Sequence, residues 1–453
     1  MAGQSASFEK NQEHGVKKLS EEIAGMIKNL ASSPKHDCCI YKVPDHIRKS
    51  NEEAYTPQVI SIGPFHRNKN RKLQKMEDFK LRYLKSFTDR AEIKLEDIVS
   101  SIKAAEESVR ECYSETIPLV SDDFVKMILL DASFIIEYFW KNKTEGNWTE
   151  YDLAILNPWL CNRMHMDLIL LENQLPFFII EKIYDTAFPS SSKEGHPFIE
   201  LSFCQFDYYN HQKFVHQKFV HHDPDRASGS SGIFILHFTD LVRNFCMPPY
   251  ESWRPKRSAK SMKEMYSAAQ LDEVGLKFKK RESSNINLST LELKYADGVL
   301  EIPPFQLDST TEIYARNLVA FEECHYRSDP YITDYYILLS MLIKTVKDMD
   351  VLVREQIIDN WLDGVVATSM INKLYMSGEK SFYFEMNSHY QQMAEELNEF
   401  YKARVTYLQI MMAIVKLDYF CNPWRGAATI GGILLLLLTV IQTVCAVISV
   451  KNN

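Results

Sequence analysis

The stretch Leu168–Ile180, LILLENQLPFFII, has thirteen residues, ten of them aliphatic, aromatic or proline, with Glu172, Asn173 and Gln174 together in its middle. A broken membrane span, a catalytic carboxylate in an apolar pocket and a helix junction inside a core would each place polar groups there. Pro176 disfavours helix at Leu175 and suits the first turn of a new helix, so the stretch reads as helix, corner, helix. The two helix ends leave backbone amides and carbonyls without partners. Glu172 and Gln174 can take these up, while Asn173 tolerates a left-handed turn. Each apolar arm is under ten residues, too short for a bilayer.

Catalysis at Glu172 would need a second group. His165 is a candidate by proximity alone, and a lone histidine beside an apolar segment is more often a hydrogen-bonded structural residue. No G-x-S-x-G, H-E-x-x-H, phosphate-binding glycine loop or dinucleotide fingerprint occurs. Glu322, Glu323, Cys324 and His325 are adjacent, but neighbours in sequence point different ways on a helix, which favours a partly buried, partly solvated face. The corner is therefore read as structural, with no catalytic residue, metal ligand or cofactor expected.

At 453 residues and 45% hydrophobic content, the chain can bury one large core or two ordinary ones. A formal charge of −8 gives no electrostatic reason to bind nucleic acid. The short basic clusters around Arg67–Lys72, Arg254–Lys260 and Lys277–Arg281 read as solvated loops. Nine scattered cysteines without a C-x-x-C pair fit a reducing compartment better than a disulfide framework or a zinc site. The polar N-terminus has no apolar stretch of the length a secretory signal requires, so export is not expected.

From Gly426 to Val450 the chain reads GAATIGGILLLLLTVIQTVCAVISV, 25 residues without a charge, or roughly 37 Å as a helix. That length spans a bilayer core with some tilt. Pro423, Trp424 and Arg425 bound it on one side and Lys451 on the other. With three residues from Lys451 to the end, the expectation is a single-pass tail anchor in contact with lipid, the body in the cytosol. Plasma membrane or endomembrane is favoured. The sequons at Asn142, Asn147 and Asn287 would be usable only in the opposite topology. Ala427 with Gly431, and Ala428 with Gly432, make a shallow face on which a second span could pack, with Gln442 deeper as a candidate interhelical hydrogen bond. A homo-oligomer through this face is one expectation.

Helical periodicity dominates elsewhere: Leu19, Ile23, Met26, Ile27 and Leu30 share a face, as do Met76, Phe79, Tyr83, Leu84 and Phe87. Extended segments are few: Cys38–Pro44, Gln58–Pro64, and Leu291–Pro303, in which Asp297-Gly298 signals a hairpin. DPDRASGSSG, Asp223–Gly232, reads as linker. The preceding HQKFVHQKFVHH gathers His211, His216, His221 and His222 at a spacing that shares no helix face, so loop duplication is favoured over metal binding. Met386, Tyr390, Met393, Leu397, Phe400, Leu408, Met411 and Val415 predict one long helix leading toward the membrane.

The fold class is thus mainly α: a helical body with a few short strands and a β-hairpin, then a long C-terminal helix and a single transmembrane helix. Five regions are expected: a helical lead over 1–37, the first half of the domain over 38–189, a variable linker over 190–232, the second half with its stalk-like helix over 233–422, and the anchor with its tail over 423–453.

Seven stretches in order carry a resemblance. They are YKVPDHIRKSNEEAYTPQVISIGPFH (Tyr41–His66), MEDFK (Met76–Lys80), LLDASFIIEYF (Leu129–Phe139), LLENQLPFF (Leu170–Phe178), AAQLDEVGLKF (Ala268–Phe278), EIPPFQLDSTTEIYARNLVAFEE (Glu301–Glu323) and NPWRGAATIGGILLLLL (Asn422–Leu438). Together they resemble the plant-specific domain-of-unknown-function 247 family. The resemblance implies a mostly helical plant protein with a C-terminal membrane segment, no established activity and no defined catalytic residues; some members in grasses are linked to self-incompatibility recognition. The expectation is a membrane-anchored, non-enzymatic recognition or scaffold protein that binds an unidentified partner protein. Its rivals are a receptor-like determinant with the body outside the cell and an enzyme with an unrecognised site.

Overall fold

The computed structural model describes residues 17–25, 38–67, 71–144, 148–190, 197–209, 234–247, 257–261, 264–281, 291–375, 385–419 and 423–451. The histidine repeat, the linker-like Asp223–Gly232 and the sequons at Asn147 and Asn287 lie outside them. The chain forms two compact units. The short segment His46–Ser50 belongs to the second, and the main passage between the two falls between Val242 and Arg243.

Among the described residues the first unit is built from helices: α1 Arg71–Arg90, α2 Leu95–Glu111, α3 Ser121–Lys143, α4 Glu150–Ile155, α5 Pro158–Leu168, α6 Phe177–Ala187 and α7 Phe198–Gln205, with α8, Phe238–Cys246, carrying the chain out. At its centre is α3, buried without interruption from Met127 to Phe139. A helix apolar on every side belongs in a core, and α1, α2, α6 and α7 all pack on it. Asp122 and Asp123 in its first turn and Lys141 and Lys143 in its last complement the helix dipole. On α1 the face expected from periodicity is the buried one, through Met76, Phe79, Tyr83 and Phe87. On the helix over 17–25, Leu19 and Ile23 are exposed instead.

The second unit carries all seven strands found among the described residues. They are β1 Arg257–Ser261, β2 Lys277–Lys280, β3 Lys294–Ala296, β4 Val299–Ile302, β5 Phe305–Leu307, β6 Ile358–Asn360 and β7 Glu385–Asn387. The expected hairpin is β3–β4, with Asp297 at φ 51° and Gly298 at φ 75°, the pair of left-handed residues that a type I′ turn demands. Three pairings are not legible in the sequence: β2 beside β4 and β5 beside β6, both parallel, and β1 antiparallel to β7. The helices are α9 Ala268–Glu273, α10 Thr311–Cys324, α11 Tyr331–Leu342, α12 Val346–Arg354 and α13 Gly364–Tyr375, followed by the long α14, Ser388–Tyr419, and α15, Pro423–Lys451. Tyr390, Met393 and Leu397 of α14 are buried; Met386 lies in β7 rather than in the helix. Within α15, Gly426–Ile448 is 23 residues long, apolar and unburied, sufficient by length and composition to cross a membrane.

Candidate functional site

The corner between α5 and α6 runs from Ile169 to Pro176, and all three of its polar side chains are buried. Gln174 turns back on the helix it follows, its Nε2 donating to the carbonyls of Leu168 and Leu170 at 2.7 and 2.8 Å. Asn173 Nδ2 donates to the Asp167 carbonyl at 2.8 Å. Carbonyls at a helix C-terminus lack intrahelical partners; here side chains add to the backbone amides of Leu170 and Asn173, which reach the Asp167 and Leu170 carbonyls. Asn173 is not among the residues with positive φ. Its amide bonds supply what a left-handed cap would have. Pro176 stands one residue before α6, at the N-cap, instead of in the first turn.

The rest of the triplet's polar capacity goes to chain far away in sequence. Gln58–Pro64, expected to be extended, is instead broken by bends at 58–59 and 63–64 and joins no strand among the described residues; side chains take up its backbone groups. Asp167 accepts the amides of Gln58, Val59 and Ile60 at 2.7–3.2 Å. Asn173 accepts the Ile62 amide at 2.7 Å and donates to the Ile60 carbonyl at 3.0 Å. Asp131 of α3 accepts the Gly63 amide at 2.9 Å and pairs with Lys80 of α1 at 2.6 Å; Lys80 also donates to the Ser61 carbonyl. Glu172 accepts the Val43 amide at 2.8 Å and lies 3.0 Å from His66 Nε2. Gln174 Oε1 accepts the amide of Phe238 at the start of α8. Gly63, at φ 70°, passes so close that a Cβ would meet the Gln174 carbonyl oxygen at 2.4 Å, so only glycine fits.

This arrangement leaves little chemistry to spare. A catalytic carboxylate must be free to exchange a proton with substrate, whereas Glu172 is buried and accepts the Val43 backbone amide, with the buried His66 ring 3.0 Å away. His165, its candidate partner by sequence, is held elsewhere: Gln205 Nε2 lies 3.3 Å from its Nδ1, and its ring stacks on Tyr209. Burial pulls the His165 pKa down to about 4, so the folded protein keeps the imidazole neutral while the unfolded chain protonates near about pH 6.5. The unfolded state therefore binds more protons between these values. Stability contributed by His165 is complete above about pH 6.5 and lost as pH falls toward the folded value. Thermal midpoints of the body should drop over this window, and His165→Gln should flatten that part of the profile.

In the second unit, Glu322 is equally committed. It pairs with Arg243 Nε at 2.9 Å and accepts the amides of Ile332 and Thr333. Arg243 lies over the Tyr326 ring at 3.7 Å. Glu323 instead meets His46 at 2.8 Å, and His325 stacks on Phe321. Glu322, Glu323 and His325 thus point into different surroundings. Among the described residues no group of three or more His, Cys, Asp or Glu is placed to hold a metal ion. An open cleft of about 410 Å³ in the first unit is lined by Arg90, Glu137, Trp140 and Lys141 among others. Three of its charged residues are in ion pairs: Arg90 with Glu137 at 2.6 Å, and Lys141 with Asp152 at 2.7 Å. Burial pushes the Glu137 pKa up and the Arg90 guanidinium opposes it.

Pro423 opens α15, Trp424 is exposed, and Arg425 and Lys451 fall within the helix. Ala427 and Ala428 are exposed, as are Gly431, Gly432 and Gln442, and both glycines have open space where a Cβ would stand.

A helical body whose buried polar groups hold its own backbone, followed by one apolar helix of bilayer length, defines a candidate membrane-anchored α-helical protein. The chain belongs to the DUF247 family, described as a plant protein of unknown function, whose model matches residues 40–438. It is similar to the UPF0481 protein At3g47200 of Arabidopsis thaliana, 26% identical over 94% of this chain and 89% of that protein. It is also similar to the putative UPF0481 protein At3g02645 of the same plant, 23% identical over 90% of each. No solved structure matches.

Proposed function

We propose that the protein is a membrane-anchored, non-enzymatic recognition or scaffold protein whose body, on the cytosolic side, binds a partner protein. The observation that carries this reading is an exposed apolar group in the second unit: Trp361 at 70%, Val365 at 66% and Val366 at 54% exposure, within six residues at the head of α13. Large apolar side chains clustered at a surface mark interaction sites, and tryptophan dominates the binding energy of many interfaces. The commitment of Glu172 and Glu322 to backbone amides weighs in the same direction. Proximity labelling in intact plant cells tests it. A set of neighbours absent from an anchor-only control, and lost with Trp361→Ala plus Val365→Ala, supports the reading; a set identical to that control contradicts it.

The cytosolic placement has its own test. Asn142 is exposed, although its amide donates to Gln205 at 2.6 Å, and it should carry no glycan. An endoglycosidase-sensitive shift abolished by Asn142→Gln would put the body outside.

Self-association is proposed through the shallow face of α15. Because Ala427, Ala428, Gly431 and Gly432 let a second helix approach closely, packing supplies most of the energy, with Gln442 adding only about 0.6 kcal/mol. In a bacterial-membrane reporter of the isolated span, Gly431→Ile with Gly432→Ile should lower the dimer signal substantially. An unchanged signal would move any oligomer contact to the body.

A further inference from the structure

The outer half of α14 is exposed where an apolar helix should not be. The ring of Tyr401 stacks on Tyr266 at 3.7 Å, and beyond it every described side chain from Lys402 to Lys416 except Val405 is exposed. Tyr407, Ile410, Met411, Met412, Ile414 and Val415 are 41–64% exposed. At 100° per residue these six cover a broad arc, while Lys402, Thr406, Gln409 and Lys416 fall together on a narrow strip opposite; Arg404, before Tyr407, falls on the side of the apolar arc and lies over the Phe400 ring at 5.2 Å. A two-stranded coiled coil needs a narrow seam. A broad apolar arc with lysines on the polar strip is instead the pattern of a helix lying in a membrane interface.

The chain itself says which surface is at hand. Gly426, where the apolar span begins, is eleven residues beyond Val415. A straight helix would hold Tyr407–Val415 in water, starting roughly 16 Å outside the hydrocarbon. But α14 ends at Tyr419 and α15 begins at Pro423, and proline has no amide with which to continue a preceding helix. Pro423 therefore permits a kink at the start of α15, and α14 need not share its axis.

We propose that Tyr407–Val415 lies in the headgroup layer of the leaflet that α15 enters, its apolar arc toward the acyl chains and Lys402 and Lys416 toward anionic headgroups. The body is then held at the membrane by two elements, a span and a horizontal helix. This rests on the reading of α15 as a membrane anchor, and the test separates the two. The full chain is reconstituted in vesicles of phosphatidylcholine and phosphatidylserine, with a photoreactive benzophenone amino acid placed singly at Met411, Met412, Gln409 or Leu436. Adducts are identified by mass spectrometry. Lipid adducts at Met411 and Met412 should approach those at mid-span Leu436 and exceed those at Gln409 several-fold. Lipid adducts at Leu436 without any at Met411 and Met412 overturn the proposal and leave the anchor standing. Cross-links from Met411 and Met412 to a second copy, or to the body of the same chain, overturn it in favour of that occupant. Absence of lipid adducts at Leu436 overturns the anchor, and the proposal with it.

Discussion

Deleting Gly426–Asn453 is expected to move the protein from a carbonate-resistant membrane pellet to the soluble fraction. Thirteen Leu, Ile and Val residues lie between Ile430 and Val450. Near the bilayer centre each contributes about −0.3 to −0.6 kcal/mol, together far more than Gln442 and two glycines oppose. Among the described residues Gly426–Ile448 is the one helix long and apolar enough to span. Tyr407–Val415 does not change the outcome, since nine residues cannot cross the hydrocarbon and an interfacial helix is released by carbonate. In neutral buffer the same truncated chain should keep a residual affinity for anionic vesicles. A truncated chain that stays in the pellet after carbonate would contradict the assignment of the anchor.

Asn173→Ala is expected to be the most damaging single truncation in the corner. One amide side chain serves three buried backbone groups, the Ile62 amide and the carbonyls of Ile60 and Asp167. Alanine is small enough to fit and supplies none of these bonds. The Asp167 carbonyl keeps the Leu170 amide at 3.4 Å, so the Ile62 amide and the Ile60 carbonyl are the groups at stake; at about 1 to 3 kcal/mol for each buried group left unpaired, the total is several kcal/mol, a large share of the about 5 to 15 kcal/mol that holds a typical domain together. Asn173→Asp should be no better: it keeps the acceptor for Ile62 but turns a carboxylate oxygen toward two carbonyls. Thermal melting of the body, with hydrogen exchange at Ile60 and Ile62, measures both. Wild-type midpoints in both variants would mean the corner is not a clasp.

The helix-corner-helix reading, the long helix before the anchor, the span and the Asp297-Gly298 hairpin were legible because each is a local pattern. Period, proline position and turn chemistry act within a few residues. The partners of the corner were not legible. Nothing near Glu172 in sequence points to Val43, and nothing near Asn173 points to Ile62, because those pairings are set by how α1, α3 and α5 pack. One signal was available: Gln58–Pro64 and Cys38–Pro44 read as short extended segments within a helical half, and amides there that join no sheet need side-chain acceptors. Asp131 and Lys80, in the middle of otherwise apolar helical faces, were the residues to ask about. Glu322 was readable only as one of four adjacent polar residues; its fixing by Arg243, Ile332 and Thr333 depends on tertiary structure. The exposure of Tyr407–Val415 was hidden too, since a regular apolar stripe looks the same whether a body covers all of it or half.

The claim that orders the rest is that Glu172 holds the fold and does no chemistry. Glu172→Gln separates the two roles, since glutamine can still accept the Val43 amide through its carbonyl oxygen but cannot act as a general acid or base. The measurement is proximity labelling by the full-length variant in intact plant cells, run beside thermal melting of its body. The account predicts the wild-type set of neighbours with at most a modest fall in midpoint. A wild-type midpoint with the set of neighbours lost would contradict it and make Glu172 part of a functional site.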